Sequence, residues 1–565
     1  MRAGREGRGM YKQVLDPVSH SLGTSSIFAV LPLLSLFVLL GGVRMKAQWA
    51  SLISLAVAVV VAIAVYGMPF GQAVDAGAEG AAFGFFPIMW IVINALWIFN
   101  MTVETGDFAV LRRAFSSVSN DQRVQVVIIA FCFGALLEAL AGFGTPVAIC
   151  GVMLVGLGFR PIKAVAVALV ADTAPVAFGA IAIPIITLAQ ITGLPKHALS
   201  QMVGRQVPFL AFLVPFVLVY VIDGRRGLRD SWPAALVAGG AFAVVQFATS
   251  NYISTELTDI FASLASAGAL VALLRVWSPR AHKDSTVPVA RPGGPAIAGG
   301  AQADAWLERR VGADEGRPLH TGAMLRAFVP YMIIIVVLGV CSLHAVALQL
   351  DKATNAITWP GLHVLNAKGK PPASEIYKLN WLTAAGSQLF VCGLLTSAAL
   401  RVGPRRALAI YAATFKLLIW AIVTVCSVLA LAYVMNLAGM TITLGMWAAG
   451  AGGFFAFLSP IVGWFGTAVT GSDTSSNSLF GALQVAAAHH AQLSPTLLAA
   501  ANSSGGVLGK MVSPQNLAIG AAAVGLAGDE GDIFRKVIGW SLLFMLLMAV
   551  LVLLQSTGAL SWMVP

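Results

Sequence analysis

Apolar residues along this chain gather into runs of about 20, the length a helix needs to cross the hydrocarbon core of a bilayer. The runs cover 27–42, 49–66, 82–101, 124–141, 162–191, 207–222, 234–248 and 257–277. After a hydrophilic stretch they resume at 328–350, 382–400, 408–437, 444–462, 496–527 and 540–554. The pattern predicts an all-α polytopic membrane protein with about twelve to fourteen transmembrane helices, and it excludes an outer-membrane barrel of short alternating strands. Residues 1–24 read as a cytoplasmic tail, 25–277 as an N-terminal transmembrane half and 324–565 as a C-terminal half. Between the halves, 278–323 carries Pro288, Pro292, Pro295 and mixed charges and reads as a hydrophilic linker. The stretch 351–380 reads as a non-cytoplasmic excursion.

Several runs are interrupted. The segment from Val124 to Gly158 breaks at Ala141-Gly-Phe-Gly-Thr-Pro146, and 162–191 breaks at Asp172-Thr-Ala-Pro175. In the second half the polar string Gly471-Ser-Asp-Thr-Ser-Ser-Asn477 breaks 463–488, and Asn502-Ser-Ser-Gly-Gly506 breaks 496–527. Irregular backbone at membrane depth is tolerated where protein buries it or a wet cavity meets it, and the exposed helix ends carry partial charges for ions. The breaks also pair. Phe143-Gly-Thr145 recurs as Phe465-Gly-Thr467. Ala171-Asp172-Thr173, followed by Gly179 and Pro184, recurs with the same spacing as Ala501-Asn502-Ser503, followed by Gly509 and Pro514. This pairing predicts a two-fold internal, inverted repeat with broken helices and re-entrant hairpins, and such paired interruptions point to a transporter site.

Composition agrees with the pattern. Of 565 residues, 58% are hydrophobic and 10% charged, with a mean hydropathy of +0.84. The formal charge of +11 comes largely from short loops: Arg44 and Lys46, Arg112 and Arg113, Arg160 and Lys163, Arg225, Arg226 and Arg229, Arg401, Arg405 and Arg406. Such residues set topology and meet lipid headgroups; nucleic acid is not implied. The basic tail (Arg2, Arg5, Arg8, Lys12) suggests a cytoplasmic N-terminus. Cys132, Cys150, Cys341, Cys392 and Cys426 lie in apolar stretches with no metal or disulfide spacing. The first apolar run begins late and lacks a convincing cleavage site, so it reads as a retained helix.

Four charged residues stand out within apolar surroundings. Glu138, Asp172 and Asp473 each admit two readings, a proton carrier tuned by burial or a structural carboxylate paired with a base or with backbone N–H groups. Lys510 either neutralises a substrate carboxylate or pairs with Asp473 or Glu138, since charges at this depth rarely face lipid. His489 and His490 abut a polar turn and read as exposed. No nucleotide loop, metalloprotease helix or nucleophile elbow stands out, so nothing supports an enzyme, and no cofactor or metal is expected. With no ATP-binding module in the chain, transport would draw on an ion gradient.

The chain resembles the bacterial L-lactate permeases over nearly its whole length. The resemblance is carried by Gly134-Ala-Leu-Leu-Glu138, Ala141-Gly-Phe-Gly-Thr-Pro-Val-Ala-Ile149, Thr173-Ala-Pro-Val-Ala-Phe-Gly-Ala180, Gln201-Met-Val-Gly-Arg-Gln206, Thr470-Gly-Ser-Asp-Thr-Ser-Ser-Asn477 and Gly509-Lys-Met-Val-Ser-Pro-Gln515. It implies a multi-pass protein of the bacterial inner membrane that carries L-lactate, glycolate and related 2-hydroxymonocarboxylates with protons. Position 172 departs from the family, where Asn is more usual than Asp, and an acid there bears on the proton count. On this reading the substrate carboxylate meets half-helix N-termini and Lys510. Its polar contacts are drawn from Thr145, Thr173, Thr470, Ser472, Ser475, Ser476, Asn477, Asn502, Ser503 and Gln515. Glu138, Asp172 or Asp473 carries the proton. A di- or tricarboxylate carrier would need more than one cation in the cavity. A proton-channel or respiratory-complex subunit would show several mid-helix Lys and Glu residues, and this chain has few.

Overall fold

A computed structural model of the chain describes residues 10–279, 320–366, 369, 371 and 376–565, apart from 44, 117, 120, 141, 143, 527 and 528. The expected linker lies outside the described residues over 280–319, and so do Ala141 and Phe143 of the first break. Among the described residues nine helices are long and apolar enough to cross a membrane, or ten when the bent pair Pro161–Asp172 and Val176–Thr192 is taken as one span. The protein is thus a helical, multi-pass membrane protein. Among the described residues its sheet is confined to short pairs, Asn355–Thr358 with Ile376–Leu379, and Tyr11–Lys12 with Val364–Leu365.

The lower span count has a physical origin. Thr145–Gly156, Thr258–Leu274 and Ala385–Ala399 are apolar helices too short to be counted as full spans. The separate runs at 207–222 and 234–248 fall within one helical stretch, Val207–Tyr252. Gly224 turns the chain inside it (φ 60°, ψ −145°), a conformation suited to glycine. The two arms then pack so closely that a Cβ on Gly239 would lie 2.6 Å from the Phe212 carbonyl oxygen.

The order hairpin, then broken helix, occurs twice. The first hairpin runs through Gln122–Val126, Val127–Phe133 and Gly134–Leu140, turns near Gly144 (φ 77°), and returns as Thr145–Gly156. Pro161–Asp172 and Val176–Thr192 follow, bent by 64° at the expected break. The second hairpin is Phe455–Thr470 and Asp473–Ala491, joined at Gly471 (φ 78°) and Ser472. Here the break is narrower than the polar string, because Asp473 to Asn477 already wind into the helix that Ser472 caps.

The last broken helix differs from its expectation. Pro495–Gly509 runs unbroken through Asn502 to Gly506, and the interruption comes later, at Lys510–Val512 and Ser513, before Pro514–Ala523. Gly505 and Gly506 serve close packing instead: a Cβ on the first would collide with the Pro460 carbonyl, and on the second with the Asp473 carboxylate. Likewise Thr467 lies inside Phe455–Thr470, before the turn at Gly471. The motif pairs found in the sequence therefore do not fall on corresponding breaks.

Two expectations about sidedness conflict. The Tyr11 N–H donates to the His363 carbonyl and the Gln13 N–H to that of Leu365, each at 2.9 Å. The Tyr11 hydroxyl donates to the carbonyls of Tyr66 and Ala438, each at 3.0 Å. The chain near residue 11 therefore shares one end of the molecule with the excursion at 351–380, and a cytoplasmic tail with a non-cytoplasmic excursion is ruled out. The opposite end gathers Arg406 with Glu104, Arg326 with Asp107, and buried Arg123 with Asp121, Asp223 and Asp230. Lys46 belongs to that end, because Ala47–Ala64 runs from it toward Tyr66.

Candidate functional site

Lys510 follows the last residue of Pro495–Gly509, so its cation meets the partial negative charge of a helix C-terminus. The chain unwinds there, and the freed Lys510 carbonyl accepts from Ser513 Oγ (3.0 Å) and Asn516 Nδ2 (3.1 Å). The ammonium reaches across to the first half. Its Nζ donates to Glu138 Oε1 at 2.5 Å and lies 3.1 Å from Asp172 Oδ2. Glu138 ends the first hairpin arm and Asp172 closes Pro161–Asp172. A carboxylate at a helix C-terminus is poorly placed by itself, and Lys510 offsets this. All three side chains are buried, at 4%, 4% and 6% exposure for Glu138, Asp172 and Lys510. Two carboxylates share one ammonium, and the outer oxygens Glu138 Oε2 and Asp172 Oδ1 meet no hydrogen-bond donor among the described residues. Buried charge is costly unless paired, so this cluster has reason to take up one proton.

Asp473 lies in a second, mainly uncharged network at the tip of the second hairpin. Its Oδ2 accepts from Ser503 Oγ (2.6 Å) and from Asn477 Nδ2 (3.3 Å). Asn477 Nδ2 also donates to the Pro184 carbonyl (3.2 Å), tying the hairpin to the first broken helix. Asn502 Nδ2 donates to Asn477 Oδ1 (2.9 Å), Gln484 Nε2 to Asn502 Oδ1 (3.1 Å), and Ser459 Oγ to Gln484 Oε1 (2.8 Å). Asp473 does not cap its own helix; the Ser472 side chain accepts the Ser475 N–H.

A cavity of about 1210 Å³ opens beside both networks. Glu138, Lys510, Thr470, Ser472, Asp473, Ser475 and Gln515 line it, with Gly142, Gly179 and Pro184. Lys46, Gln48 and Glu530 also line it, at the arginine-rich end. It exceeds the roughly 300–1,000 Å³ of a fitted ligand pocket.

The remaining expected site residues lie behind this wall. Asn477, Asn502 and Ser503 hold Asp473. Ser476 donates to the Gly463 carbonyl at 3.0 Å and Thr173 to that of Val170 at 2.7 Å, so both hydroxyls are spent on local backbone. Asp172 reaches the cluster through Lys510, and Thr145 is half-buried in the first hairpin. His489 and His490 are exposed, in the last turn of Asp473–Ala491 rather than in a loop. The sequence reading missed Ser459, Gln484 and a second bridge in which Ser504 Oγ donates to Gln206 Oε1 (2.7 Å). Lone glutamines inside apolar runs were the available signal.

The L-lactate permease family model matches residues 25–557. The chain is 40% identical to glycolate permease GlcA of Escherichia coli (strain K12), over 95% of this chain and 96% of that one. It is 39% identical to the L-lactate permease of the same strain and 39% identical to that of Bacillus subtilis (strain 168), in each case over 98% of this chain and all of the relative. A match of this extent places the chain in the L-lactate permease family.

Proposed function

We propose that this protein is a secondary transporter that carries L-lactate and related small 2-hydroxymonocarboxylates, glycolate among them, together with protons across the bacterial inner membrane. The observation that carries the reading is one buried ammonium, Lys510, shared by Glu138 and Asp172 beside a cavity whose largely apolar wall carries hydroxyl and amide groups. With both carboxylates ionised the cluster has one excess negative charge, which repels an anion. A proton on either carboxyl neutralises that charge. The ammonium can then turn part of its field to a substrate carboxylate, so anion and proton bind together. One lactate with one proton is electroneutral, so the membrane potential neither drives nor opposes it. Thr470, Ser472, Ser475 and Gln515 offer the substrate hydroxyl donors and acceptors within the same wall. Asp473 competes for the proton role, while its Ser503 and Asn477 contacts favour a structural one.

Arginine and lysine concentrate on the cytoplasmic side of membrane proteins. By that rule the arginine-rich end is cytoplasmic, the cavity faces the cytoplasm, and the chain near Tyr11 lies outside. A dicarboxylate would leave a second negative charge to be met, and of the cavity-lining cations Lys510 is deep while Lys46 sits at the mouth. Radiolabelled L-lactate uptake into proteoliposomes under an imposed pH gradient tests the reading. Uptake should rise with the gradient and vanish in Lys510→Ala. Uptake of a dicarboxylate with none of lactate would overturn the substrate class, and lactate uptake indifferent to the gradient would overturn the proton coupling.

A further inference from the structure

Asp259 is a wholly buried carboxylate that the reading above does not use. It sits in the first turn of Thr258–Leu274, where an aspartate commonly caps its own helix, yet no side-chain cap bond forms there. Its Oδ1 instead accepts from Gln246 Nε2 at 2.9 Å. The same amide nitrogen donates to the Ala174 carbonyl at 3.1 Å. Ala174 lies in the break just beyond Asp172, so one amide joins Asp259 to the segment that holds the ionic cluster. Asp259 Oδ2 meets no hydrogen-bond donor among the described residues. An ionised carboxylate so buried is costly, and protonation relieves the cost.

The surroundings place it along a route. Thr258–Leu274 packs against Gly134–Leu140, Val127–Phe133 and Val207–Tyr252. The first of these carries Glu138. From the second Cys132 Sγ lies 3.3 Å from Ser266 Oγ on the helix of Asp259. The third presents Gln246, and its charged residues, Asp223, Arg225, Arg226, Arg229 and Asp230, cluster at the turn near Gly224, at its far end. Just before Asp259 in sequence, Glu256 pairs with Lys196 at 2.5 Å, with side chains 16% and 46% exposed. That pair is at the end opposite the arginine-rich loops. Asp259 is therefore buried at the start of a helix that begins beside a surface ion pair and packs against the segment carrying Glu138.

We propose that Asp259 is a relay that takes up the transported proton on its way between the Lys196–Glu256 end and the Glu138–Lys510–Asp172 cluster. The proton bonds to Asp259 Oδ2, then leaves it for Glu138, and Asp259 returns to the carboxylate; only O–H bonds form and break. The proposal rests on proton-coupled transport, and its test separates the two. Wild-type and Asp259→Asn proteins are compared in proteoliposomes for lactate–lactate counterflow, which moves no net proton, and for accumulation driven by a pH gradient. Counterflow should survive, while driven accumulation falls by about tenfold or more, the scale of losing a positioned proton-transfer group. A wild type indifferent to the gradient sinks proton coupling itself. A gradient-driven wild type matched by Asp259→Asn sinks the relay alone. Labelling of the wild type with dicyclohexylcarbodiimide, which attacks buried protonated carboxyls, serves if the variant does not fold. Peptide mapping should find Asp259 modified increasingly as pH falls, and no modification of Asp259 at any pH overturns the relay.

Discussion

Lys510 Nζ stands 2.5 Å from Glu138 Oε1, although 372 positions separate the two residues in sequence. The contact joins the end of the first hairpin arm to the last broken helix, and Asp172 closes it from a third element. An ion pair between elements that enclose a cavity couples the charge of the site to how those elements sit. Any ligand that competes for the ammonium loosens the tie between the halves.

Removing the ammonium should cost more than removing one of its partners. Lys510→Ala leaves two buried carboxylates facing each other, and breaking a buried pair from one side costs about 3–5 kcal/mol. Glu138→Gln added to Lys510→Ala removes one of those charges and should restore part of the loss. Thermal unfolding in detergent would show it as a higher midpoint for the double variant than for Lys510→Ala, with lactate uptake still absent. A double variant less stable than Lys510→Ala would mean that Glu138 is held by something other than Lys510.

Ser503 should matter through Asp473. Its hydroxyl donates to Asp473 Oδ2 at 2.6 Å in a wholly buried setting. Hydrogen bonds to charged groups are worth about 1.5–3 kcal/mol. Ser503→Ala should lower stability by that amount, and the loss should shrink when Asp473→Asn is already present. Equal losses in both backgrounds would show that the hydroxyl serves packing and not the carboxylate.

Much of this was legible in the chain because hydrocarbon is an exacting solvent. Apolar runs gave the helical membrane class, and Glu138, Asp172, Asp473 and Lys510 stood out because charge at that depth needs a reason. What the sequence could not show was pairing. Lys510 had Asp473 and Glu138 as candidate partners, and the geometry adds Asp172, because long-range contacts leave no local trace. Gly505 and Gly506 were read as a break because glycine marks both loose backbone and tight helix contact. The opposing Pro460 carbonyl and Asp473 carboxylate that decide between these are distant in sequence. That the tail and the 351–380 excursion share one end was hidden for the same reason, since the strand at Tyr11 and Lys12 pairs with residues some 350 positions away.

The glycine contacts give a contrast that can be read directly. A methyl at Gly505 collides with the Pro460 carbonyl, whereas one at Gly450 meets nothing within 4 Å. Forcing a methyl into a packed helix crossing costs about 1–3 kcal/mol or more. Gly505→Ala should therefore reduce the folded protein recovered from the membrane and its unfolding temperature, while Gly450→Ala leaves both unchanged. Equal behaviour of the two variants would contradict the close approach of Pro495–Gly509 to Phe455–Thr470.

The sidedness of the chain yields the last prediction. Met10 is 71% exposed beside the strand at Tyr11, and Arg405 is exposed at the start of Pro404–Ala438, at the opposite end. The native cysteines are buried or half-buried, so an added thiol can be read against a low background. A membrane-impermeant maleimide should label Met10→Cys in right-side-out spheroplasts and Arg405→Cys in inverted vesicles. The weight of Arg225, Arg226, Arg229, Arg401, Arg405 and Arg406 at one end drives this orientation, because each basic residue held on the cytoplasmic side opposes inversion of the whole bundle. The reverse labelling pattern would invert the bundle, turn the cavity outward, and make the state described here the one that receives substrate from outside. Labelling of both positions from the same side would break the link between Tyr11 and Val364 on which the assignment of ends depends.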